Sequence, residues 1–199
     1  MTGQAPVPVL NIANVLTGLR LVLVPAFLVA LFAGDGREVG WRFVAFTIFA
    51  VAMATDRVDG ELARRRGLVT TFGVIADPIA DKALTGAALV GLSMLGLVPW
   101  WATVVIMVRE VGITVLRFAV LRHRVIPANR GGKTKTLVQT LAIGLYLLPL
   151  TELFGPSLVV DVARWTALAV AVVLTVATGV DYVVQAVRLR AGAAMPEVP

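Results

Sequence analysis

The chain has 199 residues, of which 58% are apolar and 15% are charged, and its mean hydropathy is +0.88. This composition is too apolar for a soluble domain of this length and is typical of an integral membrane protein. The net charge of +6 does not indicate nucleic-acid binding, because the basic residues cluster at the ends of apolar segments rather than along one soluble face.

The N-terminal segment has no basic residue in its first nine positions, so it does not resemble a cleaved signal peptide. Pro6 and Pro8 predict a short lead-in along the membrane surface. Six apolar segments then approach the roughly 20 residues that a spanning helix needs. They cover 12–32, 41–63, 72–96, 99–121, 135–154 and 160–187. The predicted fold is an all-α integral membrane protein: six transmembrane helices in a single domain over residues 1–199.

The basic residues divide unevenly between the two ends of these segments. With a cytoplasmic N-terminus, one side receives the following: Arg64, Arg65, Arg66, Arg122, Arg124, Arg130, Lys133, Lys135, Arg188 and Arg190. The other side receives Arg37, Arg42 and Arg164. The positive-inside rule therefore predicts that both termini and the active site face the cytoplasm, in a plasma or inner membrane. The four tryptophans, at 41, 100, 101 and 165, fall at the opposite ends of their segments, where indole rings favour the headgroup layer.

Four aspartates interrupt the second and third apolar segments: Asp56, Asp59, Asp77 and Asp81. Ionisable groups at membrane depth cost about 2.5 to 3.5 kcal/mol each even on the mildest scale, so they usually line a polar cavity or bind a ligand. On a helix, Asp56 and Asp59 share one face, and Asp77 and Asp81 share another. The basic stretch 64–71 can reverse the chain, which predicts that the two acidic faces meet.

Carboxylates in such a group suit Mg²⁺ or Mn²⁺ better than zinc, because the chain has no cysteine and one histidine. Two cations about 3.5 to 4 Å apart would balance the negative charge and clamp a displacement at phosphorus. The sequence therefore predicts two divalent cations as cofactors. Gly60, Ala63 and Gly73 lie beside the carboxylates and leave room for a nucleotide; alternatively, they are small residues at a close helix contact.

Eight positions in a 26-residue window reproduce the pattern D-x-x-D-G-x-x-A-R-x8-G-x3-D-x3-D. They are Asp56, Asp59, Gly60, Ala63, Arg64, Gly73, Asp77 and Asp81. By this pattern the chain resembles the CDP-alcohol phosphatidyltransferase family, and eight fixed positions are far more specific than a short motif. The resemblance extends over nearly the whole chain. It implies six transmembrane helices around a polar cavity that faces the cytoplasm.

The same resemblance implies a role for each of these positions. All four aspartates would lie at a two-metal centre, with Asp81 also acting as the general base. The CDP-diacylglycerol side of the pocket would be formed by Asp56, Gly60, Ala63, Arg64 and Gly73.

The first apolar segment opens with NIANVLTGLRLVLVP. It is similar to the P-N-x-L-T-x-x-R opening of the family branch that uses glycerol 3-phosphate as acceptor, with Ala13 in place of proline. Asn14 and Thr17 would donate hydrogen bonds to the nucleotide or diphosphate of CDP-diacylglycerol. Alternatively, both residues form hydrogen bonds between helices.

Two later stretches, REVGITVLRF and GGKTKT, resemble the R-E-x5-L-R and G-K-x-K-T segments of the same branch. Arg109 and Arg117 are eight residues apart and project from one face of the fourth helix, and Lys133 and Lys135 begin the fifth. Together they would form a cationic pocket for the phosphate of glycerol 3-phosphate. The alternative is that these are interfacial cations, with Arg109 in a structural ion pair with Glu110.

The resemblance thus implies transfer of a phosphatidyl group from CDP-diacylglycerol to glycerol 3-phosphate, in the lipid bilayer and by a homodimer. Inositol phosphate is the alternative acceptor, because it also carries a phosphate. Outside the family, a small cation-coupled transporter is the alternative, although the chain has no inverted repeat or pair of interrupted helices. GGKT does not predict a P-loop, because Pro127 stands where the first glycine is required.

Overall fold

The computed structural model describes residues 12–66, 71–121 and 130–193. Within these ranges, the side chains that it does not describe are those of residues 12–14, 56–66, 71–78, 81, 117–121, 130–133, 186 and 188–193. The predicted surface segment with Pro6 and Pro8 lies outside the described residues.

The described ranges are helical apart from short connections and contain no β-strand, which confirms the predicted all-α class. Their α-helices are α1 (Ile12–Phe32), α2 (Val39–Arg66), α3 (Thr71–Met94), α4 (Trp100–Leu121), α5 (Arg130–Leu147), α6 (Leu150–Phe154) and α7 (Leu158–Ala193). A short 3₁₀-helix, Ala33–Gly36, joins α1 to α2. Five of the six predicted apolar segments coincide with one helix to within a few residues at each end.

The fifth predicted segment, 135–154, does not form one helix. α5 ends at Leu147, and the five-residue helix α6 follows after Pro149. Proline has no N–H to donate, and its ring clashes with the preceding turn, which disfavours a continuous helix here, although α1 continues through Pro25. The N–H of Leu150 instead donates to the carbonyl of Leu148 at 2.9 Å. The prediction of a single helix over this segment is therefore wrong.

The short connections between α1 and α2, α3 and α4, and α5 and α7 gather at one end of the bundle. There, a Cβ atom added to Gly36 would lie only 2.5 Å from Cδ2 of Leu95. Gly36 also has a φ of +68°, so both its backbone conformation and its close contact favour glycine. Exposed tryptophans mark the same end: Trp41, Trp100, Trp101 and Trp165. We call it the tryptophan end, and we call the opposite end, where α2 ends and α3 begins, the aspartate end.

The apolar core fills the half of the bundle nearer the tryptophan end. Phe27 of α1 and Phe49 of α2 pack with their ring centroids 6.1 Å apart. The other helices contribute fully buried aliphatic side chains, among them Leu84, Leu89, Leu92, Ile106 and Leu147. α1 packs against α2 and α3, while α7 packs against α4 and α5, and contacts of α2 with α5 and of α3 with α4 join the two groups. The buried side chains of the half nearer the aspartate end are more polar.

Two arginines predicted only as basic residues outside the cytoplasm are buried and cap α5. Arg42 is 1% exposed and donates to the carbonyls of Tyr146, Leu147 (3.0 Å) and Gly36 (3.2 Å). Arg164 donates to the carbonyls of Leu145 (3.3 Å) and Leu148 (2.8 Å).

The last carbonyls of a helix lack partners within it and carry the negative end of its dipole, so two guanidinium groups satisfy them and match their charge. The caps come from α2 and α7, and they therefore join three helices at the tryptophan end.

Two helical stretches among the described residues are long and apolar enough to cross a membrane by length and composition. They are Val15–Gly36 and Leu158–Gln185, with mean hydropathies of 2.3 and 2.1. Both carry exposed valines, such as Val22, Val29 and Val173. Contiguous exposed apolar surface of this kind is typical of a face that contacts lipid or another protein.

Candidate active site

Buried charged side chains from three helices meet around one carboxylate, that of Glu110. Glu110 lies near the middle of α4 and is 8% exposed. Its Oε2 accepts from Nζ of Lys82 on α3 at 2.9 Å. Its Oε1 contacts Nη1 of Arg109 at 3.2 Å and Nζ of Lys135 on α5. We call these four residues the Glu110 cluster.

Within the Glu110 cluster, three cations surround one carboxylate. Transferring an ion from water into a protein interior costs several kcal/mol even after relaxation, which only close pairing with good hydrogen bonds offsets. The pairing here is close, and guanidinium and ammonium groups on neighbouring helices are also the donors that bind phosphate groups. This arrangement combines the two interpretations of Arg109, because it forms the ion pair with Glu110 and also belongs to a cationic cluster.

Arg109 also extends to α7. Its Nη2 donates to Oγ1 of Thr178 at 2.9 Å. A Cβ atom added to Gly179 would lie 3.0 Å from Cγ of Arg109, so the glycine lets the arginine stem pass close to α7. The Glu110 cluster therefore connects α3, α4, α5 and α7.

A small cavity lies beside the Glu110 cluster, between α3, α4 and α5. Its volume is ≈ 20 Å³ and its lining comprises Lys82, Thr85, Met107, Glu110, Lys135, Thr136, Gln139 and Thr140. This is room for about one water molecule. Gln139 is 5% exposed, and its Oε1 has no hydrogen-bond partner among the described residues. Since buried polar atoms are nearly always paired, this oxygen is suited to accept a hydrogen bond from a hydroxyl group or a water.

The first helix contributes a buried polar face at the same half of the bundle. Thr17 and Arg20 are each 1% exposed, and at a spacing of three they lie on one face of α1. The predicted role of Thr17 requires a side chain that faces the bundle interior, as this one does. A hydrogen bond from Thr17 to the substrate stays a prediction, as does the alternative, a hydrogen bond to another helix. The side chain of Asn14 lies outside the described residues.

The aspartate pattern falls mainly outside the described side chains. The backbone of α2 is helical through 56–64, and that of α3 through 73–81. Helical spacing therefore holds at these positions. Beyond the backbone, the structure does not describe any position of the pattern, nor two cations of the acceptor pocket. These positions are Asp56, Asp59, Gly60, Ala63, Arg64, Gly73, Asp77 and Asp81, together with Arg117 and Lys133. Their convergence on one site stays a prediction.

Sequence reasoning did not include Lys82, Gln139 and Thr178 in the site. Nζ of Lys82 lies 2.9 Å from Glu110. A signal was present for Lys82 and Gln139, because both are polar residues within apolar helices, and such residues usually face a cavity or a partner. The sequence gives no distance between helices, so it could not bring them together with Glu110.

The comparisons with known proteins agree with the sequence pattern. Residues 10–177 match the family model described as CDP-alcohol phosphatidyltransferase, and the chain belongs to this family. Members of the family are transferases of a membrane substrate and generally depend on divalent metal ions. With its long apolar helices, the chain is a membrane protein.

Several relatives are similar over most of their length. The chain is 58% identical over 178 residues to a "Probable phosphatidylglycerophosphate synthase" of Mycobacterium tuberculosis (strain H37Rv), which covers 89% of this chain and 82% of the relative. It is 36% identical over 185 residues to a CDP-diacylglycerol–glycerol-3-phosphate 3-phosphatidyltransferase of Bacillus subtilis (strain 168), covering 86% and 93%. A protein of the same name from Escherichia coli (strain K12) is 35% identical over 179 residues, covering 86% and 92%.

Proposed function

We propose that the chain transfers the phosphatidyl group of CDP-diacylglycerol to sn-glycerol 3-phosphate, giving phosphatidylglycerophosphate and CMP. The observation that carries this proposal is the similarity over 86% or more of the chain to relatives whose names state this donor and acceptor. The three cations of the Glu110 cluster support an acceptor that carries a phosphate.

The donor set at the aspartate end fits two divalent cations. Four carboxylates on two successive helices, with spacings of three and four, offer hard oxygen ligands, which Mg²⁺ and Mn²⁺ prefer. Asp56, Asp59, Asp77 and Asp81 would hold the cations. When bound, these cations stabilise negative charge on the diphosphate.

The remaining steps belong to side chains of the protein. Asp81 accepts the proton of the 1-hydroxyl of glycerol 3-phosphate, and this oxygen attacks the phosphorus that bears diacylglycerol. The new O–P bond forms as the bond from that phosphorus to CMP breaks, and CMP leaves with the bonding pair. Asn14, Thr17, Gly60, Ala63, Arg64 and Gly73 form the donor side of the pocket. No covalent intermediate with the protein is needed.

The acceptor phosphate is held by four cations of α4 and α5. They are Arg109, Arg117, Lys133 and Lys135. An ammonium group carries three N–H donors and can serve more than one acceptor, so Lys135 can contact Glu110 and a phosphate at once. Arginine adds forked contacts to a phosphate. Because the acceptor is fixed through its phosphate, this pocket selects the alcohol.

Replacing Lys135 with alanine is expected to raise the KM for glycerol 3-phosphate about 10- to 100-fold, because a hydrogen bond to a charged group contributes about 1.5–3 kcal/mol. The KM for CDP-diacylglycerol should change less than about twofold, since the acceptor is the only one of the two substrates that the lysine would contact. Initial rates with each substrate varied in turn measure both constants, and Arg37→Ala, at an exposed arginine of the tryptophan end, is the control. An equal rise in both KM values would remove Lys135 from the acceptor pocket.

The proposed reaction is tested with the purified protein in detergent. CDP-diacylglycerol is supplied with glycerol 3-phosphate, inositol phosphate or serine, and both CMP release and product mass are measured. We expect CMP release and a new lipid with glycerol 3-phosphate alone. Turnover with inositol phosphate in its place would reassign the acceptor, and no CMP release with any alcohol would refute the proposed transferase.

The membrane arrangement is part of the same proposal. α1 to α5 and α7 would span the bilayer, with both termini and the active site on the cytoplasmic side of the plasma or inner membrane. The four exposed tryptophans support a headgroup layer at the tryptophan end, because indole rings favour that layer. We further propose a homodimer, in keeping with the family resemblance.

A further inference from the structure

Glu110 joins the helix of the proposed base to the helix of the proposed acceptor cation. On α3, Lys82 directly follows Asp81, and Nζ of Lys82 is 2.9 Å from one oxygen of Glu110. On α5, Lys135 contacts the other oxygen. One carboxylate therefore links α3 and α5, next in the chain to the proposed base on α3.

Burial restrains the Glu110–Lys135 contact more than the contact with Lys82. The side chains of Glu110 and Lys135 are 10% and 5% exposed, whereas that of Lys82 is 24% exposed. An ion buried to this degree keeps its partner, because separation would leave it both desolvated and unpaired. An exposed ion pair would exert no such constraint, since solvent competes for both groups.

We infer that Glu110 is a positioning residue for phosphatidyl transfer, which holds Lys82 and Lys135 so that the acceptor phosphate and the proposed base keep a fixed separation. The inference rests on the proposed function and deepens it. Neither the aspartate pattern nor a role for Arg109, Arg117, Lys133 and Lys135 in phosphate binding requires it.

If Glu110 acted only through its charge, removing this carboxylate would improve binding of the acceptor instead of weakening it. Glu110→Gln removes the negative charge at the centre of the Glu110 cluster, which by itself would strengthen the binding of an anionic acceptor. If Glu110 positions the lysines, the same substitution weakens acceptor use although the site becomes more positive. The direction of change in the KM for glycerol 3-phosphate therefore separates the two explanations.

The test is a double-mutant cycle with Glu110→Gln, Lys82→Gln and the double variant, assayed with both substrates. For Glu110→Gln we expect kcat/KM for glycerol 3-phosphate to fall at least about tenfold, with a higher KM for this acceptor and a KM for CDP-diacylglycerol within about twofold of wild type. The double variant should be no worse than Glu110→Gln alone. The coupling energy then equals the effect of Lys82→Gln alone, which is about 1.4 kcal/mol if that effect is tenfold. Glu152→Gln, which removes the acid near Arg42 at the tryptophan end, should leave all constants unchanged.

Three results would overturn the inference. The first is a lower KM for glycerol 3-phosphate in Glu110→Gln. The second is a parallel change of both KM values in this variant, together with a lower melting midpoint. The third is that the effects of the two single variants simply multiply in the double variant. Should Glu110→Gln not fold, Lys82→Gln decides, because the Lys82 side chain is 24% exposed and its replacement is milder. A wild-type kcat/KM for glycerol 3-phosphate in Lys82→Gln would then refute the inference.

The wild-type protein separates this inference from the proposed function. Its turnover with glycerol 3-phosphate is measured first, and absence of turnover refutes the proposed function. If the wild type uses another phosphorylated alcohol, that alcohol replaces glycerol 3-phosphate in the cycle. If the wild type is active but Glu110→Gln changes the KM values of both substrates alike, only the positioning role is refuted.

Discussion

Replacing Asp56 with asparagine is expected to lower kcat by at least about 10³-fold. Asparagine keeps the size of the side chain and one oxygen but loses the negative charge that a divalent cation requires. A bound cation contributes several kcal/mol of transition-state stabilisation, and each 1.36 kcal/mol corresponds to a factor of ten in rate. Initial CMP release, measured over a titration of Mg²⁺ and of Mn²⁺, gives both the residual rate and the cation requirement.

The residual activity of Asp56→Asn should need a higher cation concentration than the wild type, because one ligand is lost. Asp35→Asn is a matched control, since Asp35 is exposed near the tryptophan end and its φ of 55° is also tolerated by asparagine. We expect wild-type kinetics from this control. Full activity of Asp56→Asn at the wild-type cation requirement would reject Asp56 as a ligand.

Replacing Arg42 with methionine is expected to destabilise the protein by at least about 3 kcal/mol. The substitution keeps an apolar stem of similar length but leaves three backbone carbonyls without their side-chain donor, and each buried unsatisfied group costs about 1–3 kcal/mol. For a chain of this size, each kcal/mol lowers the melting midpoint by about 2–4 °C. Thermal unfolding in detergent should therefore shift downward by at least roughly 6 °C.

The control for this effect is Arg37→Met, the same substitution at an exposed arginine five residues away. Activity of Arg42→Met well below its melting midpoint should stay close to that of the wild type, because the cap lies at the tryptophan end and not beside the substrates. A midpoint within about 2 °C of the Arg37→Met control would show that Arg42 does not stabilise the end of α5.

The sequence predicted the helices well because their lengths follow from apolar periodicity, which is a local property. α1 and α4 begin and end almost where the apolar segments do. The break after Leu147 also had a local signal, Pro149, but the apolar residues on both sides of the proline suggested one continuous segment. Proline alone did not decide the outcome, because α1 continues through Pro25 while α5 ends before Pro149.

The partners of the buried charges could not be predicted in the same way. Arg42 caps carbonyls 104 and 105 residues further along the chain, and Lys82 reaches Glu110 across 28 residues. Such contacts depend on how helices pack, and charge counting alone placed Arg42 and Arg164 among ordinary flanking cations. Only the adjacent pair, Arg109 with Glu110, was open to prediction from the sequence. The aspartates are the reverse case, because their pattern is strong in the sequence while their side chains lie outside the described residues.

The capping of α5 by arginines from two other helices has a consequence for how this bundle can move. Separating α2, α5 and α7 at that end would strip several carbonyls and two guanidinium groups of their partners at once, so this end acts as a pivot. Movement of the helices is then expected mainly at the aspartate end. In the proposed reaction, a diacyl lipid and a small water-soluble alcohol would enter and leave there in every cycle.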